Sequence, residues 1–277
     1  MFECVINISE GRDRGLLAHL ARCAGASLRD LHSDVFHNRS VFTLINTTSA
    51  LSADVQRLIS VAFDVLDLEG HEGVHPRLGV VDVVPFVALV PEEIAAAIAL
   101  RDETAEWIAT TFDVPVFLYG TRAPARTLPY VRAHAFVDLK PDWGPSRADR
   151  RRGAVVVGAR DVLVAWNLWL RHVTVQRARE LAVAVRGPGV RALGLRVGDM
   201  VQVSCNLVDL ALATPSLVYD RVASHVSAPG LIDHAEVVGL FPRSLLEREA
   251  PERWRQLGLH PRDTIEARLD AARARDF

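Results

Sequence analysis

The chain has 277 residues, 49% of them apolar and 24% charged, with a formal net charge of −2. That length is one large domain or two ordinary ones of roughly 100–200 residues each, with ample apolar material for a core. The charge balance provides no bulk positive field for nucleic acid or acidic membranes.

Strands and helices alternate from the start. Residues 2–9 (FECVINIS) have strand character and end at Glu10-Gly11. Residues 12–26 carry helical spacing through Leu16, Leu17, Leu20 and Ala21, with Gly25 near the stop. Residues 27–34 (SLRDLHSD) and 40–48 (SVFTLINTT) are short strands separated by VFHNR. In 49–68 a helix puts Val55, Leu58, Ile59, Ala62 and Val65 on one face. The glycine-punctuated loop GHEGVHPRLG (70–79) leads into a buried strand, VVDVVPFVALV (80–90). A helix opens at Pro91-Glu92-Glu93, and VPVFLYG (114–120) is a further strand. Residues 121–153 are rich in Arg, Pro and Gly and read as irregular.

The second half repeats the theme loosely. Residues 153–170 (GAVVVGARDVLVAWNLWL) are apolar and strand-like, and 174–187 form a helix. Residues 190–209 are a hairpin turning at Gly198-Asp199. A helix over 214–228 starts at Thr214-Pro215, then come a strand in 233–242 and charged helices to the end. Two stacked α/β subdomains, 1–160 and 161–277, are expected, their sheets covered by helices.

Cys4, Cys23 and Cys205 show no paired spacing, which fits buried thiols in a reducing cytoplasm. The N-terminus lacks the pattern of a signal peptide, and no charge-free apolar run reaches the ~18 residues of a membrane span. Lys140 is the only lysine, which disfavours Schiff-base chemistry.

His71-Glu72-Gly73-Val74-His75 fits H-E-x-x-H, a zinc-binding pattern that works because a helix puts i and i+4 on one face. Gly73 costs ~1 kcal/mol inside a helix. Pro76 pushes His75 out of the α region. The segment therefore reads as a loop, and no metal is expected.

Read as HEGVHPRLGVVD, the same loop resembles the H-x-G-x-H-P-R-x-G-x-x-D signature of the glutamate formiminotransferase (glutamate formimidoyltransferase) family. ECVINISEGRD, HSDVFHNRSVFTL, DVPVFLYG, RTLPYVRA, PDWGPSRADRRRGAVVVGAR, VQVSCNLVD and AEVVGLFP match further family segments in order. The resemblance implies an α+β fold of two ferredoxin-like subdomains with folate bound between them, working as a homodimer. The implied reaction moves a formimidoyl group from N-formimidoyl-L-glutamate to N5 of tetrahydrofolate, releasing glutamate, in histidine breakdown. Tetrahydrofolate is then a co-substrate, and the partners are small molecules.

The resemblance makes His75 the catalytic histidine. A group that titrates near neutrality suits the proton transfers of this chemistry. Arg77 is suited to clamp a carboxylate or to bridge the loop. Asp82 is suited to orient a histidine, face an amidinium or cap the strand. His71 is open between function and loop structure. The turn HSDVFHNRS offers Arg39 for a glutamate carboxylate and Asp34 for the cationic amidine, with His37 and Asn38 beside them. A solvated turn made by Asn38 is the alternative. Some family members carry Asp where this chain has His32.

Residues 144–153 match the family's folate segment: Gly144, Pro145, Ser146, Arg147, Arg152 and Gly153. Its middle departs, because Arg147, Arg150, Arg151 and Arg152 replace less charged residues. That cluster could hold folate glutamates or another anion, or be a solvated face. Trp169 stands where the family has a second Asn after Asn167. These departures leave two alternatives open: one-carbon transfer between folate and a different amine, or folate binding without turnover.

Overall fold

The computed structural model describes residues 1–120, 125–226 and 231–274. The chain forms two compact units, Met1–Asp161 and Val162–Phe277. Both are α+β, with sheets of six and four strands packed against helices.

The first unit runs β1 (Phe2–Ile8), α1 (Arg14–Cys23), β2 (Leu28–Asp34), β3 (Arg39–Asn46), α2 (Thr48–Val65), β4 (Val81–Ala88), α3 (Ile94–Phe112), β5 (Val116–Gly120), α4 (Leu128–His134) and β6 (Val155–Arg160). The sheet order is β2-β3-β1-β4-β6-β5. β1 is antiparallel to β3 and β4, while β4, β6 and β5 run parallel. Strand alternation sorts the side chains. Ile6, Ile8, Phe42, Leu44 and Phe86 join Leu20, Leu58 and Ile108 of the helices in the main core. Val83, Phe117, Tyr119 and Val156 form a smaller cluster with Val131 of α4.

The registers bring Ile8, Asp34, Arg39, Val81, Val116 and Val155 to the same end of this sheet. The loops after β1, between β2 and β3, before β4 and before β6 therefore gather there. The β2–β3 turn, the loop at 70–79 and the segment just before β6 belong to that end.

The second unit runs β7 (Val164–Leu170), α5 (Val175–Val185), β8 (Val190–Val197), β9 (Met200–Leu207), α6 (Pro215–His225), β10 (Ile232–Val238), α7 (Arg243–Glu247) and α8 (Ile265–Arg273). Its sheet is antiparallel in the order β10-β7-β9-β8. The hairpin turns at Gly198, whose φ of 59° lies in the left-handed region glycine tolerates. Val164, Trp166, Leu168 and Leu170 point into the core with Leu181, Val203 and Val218. The buried Trp166 indole donates to Leu257 O at 2.8 Å.

Four expectations change. The run 153–170 is two strands, β6 and β7, divided at 161–163 where one unit gives way to the next. The stretch 121–153 contains α4, capped by Thr127, whose side chain accepts from the backbone of Tyr130. Val65 is 44% exposed, because it ends α2 rather than continuing its buried stripe. The helix expected over 214–228 spans Pro215–His225; Ser227 and Ala228 lie outside the described residues, as do 121–124 of the irregular stretch. Cys4 and Cys205 are buried free thiols and Cys23 is half-buried. Among the described residues no helix is long and apolar enough to cross a membrane.

Candidate active site

The loop before β4 is not helical, so its two histidines do not share a helix face. The Arg77 guanidinium donates to the His71 ring. The His75 Nδ1–H donates to Pro76 O at 2.8 Å, which leaves Nε2 as the basic nitrogen. Among the described residues no three His, Cys, Asp or Glu side chains gather as a metal site.

Close approach of this loop to the β2–β3 turn depends on Gly73. A Cβ there would lie 2.2 Å from His37 O and 2.6 Å from Arg77 Nη2. Gly73→Ala is therefore expected to push the loop off the turn, destabilising by about 1–3 kcal/mol. Thermal melting checks this, and a melting temperature equal to wild type would contradict the packing.

The β2–β3 turn is built by its own polar residues. Asp34 Oδ1 accepts the backbone N–H of Phe36 at 2.8 Å and of His37 at 2.7 Å. Asn38 takes the left-handed conformation, φ 45°. Its Oδ1 accepts from Gly11 N and its Nδ2 donates to Glu72 O, both at 3.0 Å. Asn38 thus ties three loops together. His37 Nδ1 lies 3.4 Å from Asp34 Oδ1, and its buried Nε2 has no partner among the described residues. Partial burial works against ionisation of Asp34, but the hydrogen bonds and charge of His37 outweigh it and hold the carboxyl at about 2. The His37 and His75 rings meet edge to face, 5.9 Å between centroids.

Behind them lies Asp82, fully buried. Its Oδ1 accepts from Leu78 N at 2.7 Å. Its Oδ2 accepts from Arg39 at 2.6 Å and from Arg132 at 2.5 Å. Burial alone would raise its pKa, but the two guanidiniums lower it. Arg39 also donates to Asn7 Oδ1 from Nε and Nη2, at 3.0 and 2.7 Å. Arg132 donates to Pro76 O at 2.9 Å, and Arg77 Nη2 to His75 O at 3.0 Å. Two backbone carbonyls beside the catalytic candidate are thus held by arginines.

Two guanidiniums on one carboxylate, with Arg77 nearby, make a net cationic environment. His75 feels it: burial first, then the charges of Arg39 and Arg132, push its pKa down to about 3. At neutral pH the ring is an uncharged acceptor.

The segment before β6 lies at the same end of the sheet, with its arginines largely engaged. Gly144, at φ 80°, packs on Val114 O, where a Cβ would come within 2.7 Å. Gly153 bridges to Gly79. Arg150 pairs with Glu69 at 2.8 Å and Arg151 with Asp67 at 2.5 Å. Arg152 lies over Phe63 and Phe112 and donates to Phe112 O at 3.4 Å. Ser146 and Arg147 are exposed and Pro145 is half-buried. His32 lies within β2, opposite Val41.

Sequence reading missed Arg132 and Asn7. The signal for Arg132 was local: Thr127 followed by Leu-Pro marks a helix start, and Arg132 lies in the helix it opens. Nothing in the sequence marks Asn7 as the partner of Arg39, 32 residues away.

The fold and this site define an α+β protein that presents a neutral histidine among arginines in a glycine-rich loop, an arrangement suited to acid–base chemistry on an anionic substrate. Residues 1–160 match the family described as "Formiminotransferase domain, N-terminal subdomain", and the chain belongs to that family. It is 32% identical to a glutamate formimidoyltransferase of Streptococcus pyogenes, over 88% of this chain and 90% of that protein. It is 30% identical to a glutamate formimidoyltransferase of Thermoplasma acidophilum, over 89% of each. It is also 30% identical to the formimidoyltransferase-cyclodeaminase of Gallus gallus, over 89% of this chain and 51% of that longer protein.

Proposed function

We propose that this chain is a glutamate formimidoyltransferase, moving a formimidoyl group from N-formimidoyl-L-glutamate to tetrahydrofolate. The observation that carries the reading is neutral His75, with Nε2 available, beside Arg39, Arg77 and Arg132. The arginines suit the donor's carboxylates. Nε2 of His75 takes a proton from the acceptor amine as the new N–C bond forms. It returns that proton to the glutamate nitrogen as the old C–N bond breaks. A depressed pKa makes the imidazolium a strong acid, which suits the second step. An anion docked on the arginines offsets the cations that depress His75 and raises its pKa toward neutrality.

Tetrahydrofolate is the co-substrate in this reading. The unpartnered Nε2 of His37 and the basic Nε2 of His75 fit an amine acceptor. Gly144, Pro145, Ser146 and Arg147 would hold other parts of the folate, with Arg152 and Gly153 shaping the segment. Asp34, His37, Asn38 and Arg39 would frame the donor. We also read the subdomains 1–160 and 161–277 as ferredoxin-like. Each begins with a β-α-β-β-α-β run whose first strand lies between the third and the fourth, which supports that reading.

Purified protein given both substrates should release glutamate only when tetrahydrofolate is present. Tight folate binding without glutamate release would instead favour one-carbon transfer to a different amine. The exposed Arg147 and the departure at Trp169 are the observations behind that second reading.

A further inference from the structure

The Pro76 carbonyl, next to His75 in the chain, accepts two hydrogen bonds. One comes from His75 Nδ1 at 2.8 Å, and the other from Arg132 Nη1 at 2.9 Å, 56 residues away. A carbonyl oxygen has two lone pairs and can take both. Arg132 is itself held. Its Nη2 donates to Asp82 Oδ2 at 2.5 Å, and its side chain is only 16% exposed. Asp82 is fully buried, accepts from Leu78 N at 2.7 Å and is shared with Arg39. A chain of contacts therefore runs from a buried carboxylate, through a guanidinium and a peptide carbonyl, to the imidazole.

The placement of that carbonyl matters because it sets the tautomer of the ring. The two nitrogens of a histidine are distinct, and the partner of one decides which carries the proton. Pro76 O can only accept, so the proton stays on Nδ1 and Nε2 keeps its lone pair. Pro76 lies at the surface, where an unrestrained loop carbonyl turns with its peptide, and Arg132 fixes it from outside the loop. Arg132 also acts by charge. The ionisable groups facing the ring are Arg39 from β3, Asp82 from β4, His37 from the β2–β3 turn, Arg77 from its own loop and Arg132 from α4. Burial, then Arg39, then Arg132 disfavour the imidazolium, while the Pro76 bond and Asp82 favour it.

We infer that Arg132 is a positioning residue for His75: by holding the carbonyl that both share, it fixes the Nδ1–H tautomer and leaves Nε2 bare for proton transfer. Both terminal nitrogens of Arg132 are engaged within the protein, which separates this role from that of a carboxylate clamp. The consequence for turnover rests on the formimidoyltransferase reading, whereas the tautomer does not.

Nitrogen-15 NMR of the full chain labelled at histidine reads the ring directly, with His75→Gln identifying its signals. Wild type is expected to show a protonated Nδ1 and a bare Nε2 at neutral pH. In Arg132→Met the two tautomers should mix, and the titration of the ring should move up from about 3. Glutamate release should lose about 10–100-fold in kcat, the scale seen when a partner that orients a histidine is removed. KM for the donor should change little, because the lost interaction is not with bound substrate. Arg132→Lys keeps a charge beside Asp82 and serves if Arg132→Met fails to fold. Its single ammonium lacks the planar fork that spans Pro76 O and Asp82, so it should keep the titration low and still mix the tautomers. A wild-type ring protonated on Nε2, or a ring that both variants leave unchanged, overturns the inference. So does a raised donor KM at unchanged kcat, which would make Arg132 a carboxylate clamp. Because the ring is read without turnover, a chain with the expected signature that releases no glutamate keeps this positioning and loses the proposed reaction.

Discussion

His75→Gln is expected to lower kcat by about two to four orders of magnitude, the usual contribution of a positioned acid–base group. The fold should survive, since the one hydrogen bond of the ring runs to the adjacent Pro76. Circular dichroism with a turnover assay separates the two effects. The pH dependence gives a sharper test. The base form of His75 exists above its pKa of about 3, so in the free enzyme it should impose no acid limb on kcat/KM near pH 6–7. A limb near pH 6.5 that disappears in His75→Gln would defeat the neutral-base assignment. Stability follows the same sign. The folded pKa lies below the unfolded value of about 6.5, so the unfolded chain binds the proton more tightly. The associated stability is complete above pH ~6.5 and is lost progressively as pH falls toward 3.

Asp82→Ala should be the most destabilising single change at the site, costing about 3–5 kcal/mol. The substitution strands Arg39 and Arg132, whose side chains are only 13% and 16% exposed, and frees the backbone N–H of Leu78. Urea denaturation measures this, and a midpoint shift worth less than ~1 kcal/mol would refute the role assigned to the carboxylate. Removing a stranded cation as well, in Asp82→Ala with Arg39→Met, should recover part of the loss. Because the folded-state pKa of Asp82 lies below its unfolded value, its contribution is fully present above about pH 4. It is lost as pH falls through the depressed folded-state value, so acid should destabilise wild type more than the Asp82 variant. Turnover should fall too, because Asp82 holds the chain just after His75, through Arg132 to Pro76 O and directly at Leu78 N.

How far the sequence carries varies along the chain. Gly73 and Pro76 mark 70–79 as non-helical in the sequence itself, because the obstacle lies in the backbone of those residues. Gly198-Asp199 located a hairpin for the same local reason. The run at 153–170 looked like one apolar segment, since nothing in its composition marks a change of sheet. The arginines at 147–152 left an anion site and a solvated face both open, because the partners of Arg150, Arg151 and Arg152 (Glu69, Asp67 and the Phe63 and Phe112 rings) come from distant helices and loops. Asn38 was legible as a turn residue, but not as the tie between Gly11 and Glu72.

The sequence by itself determined the alternation of elements and the loop character of 70–79, and it pointed to His75 as the candidate for the chemistry. Those properties follow from local backbone preference, hydrophobic period and an ordered series of motifs. Only the tertiary structure decided the electrostatics. Asp82 collects Arg39 from 43 residues away and Arg132 from 50. Glu236 collects Asn167, Trp169 and Gln202 from two other strands. A side chain's charge state and available hydrogen bonds depend on what surrounds it after the sheet closes, and strand register sets those surroundings.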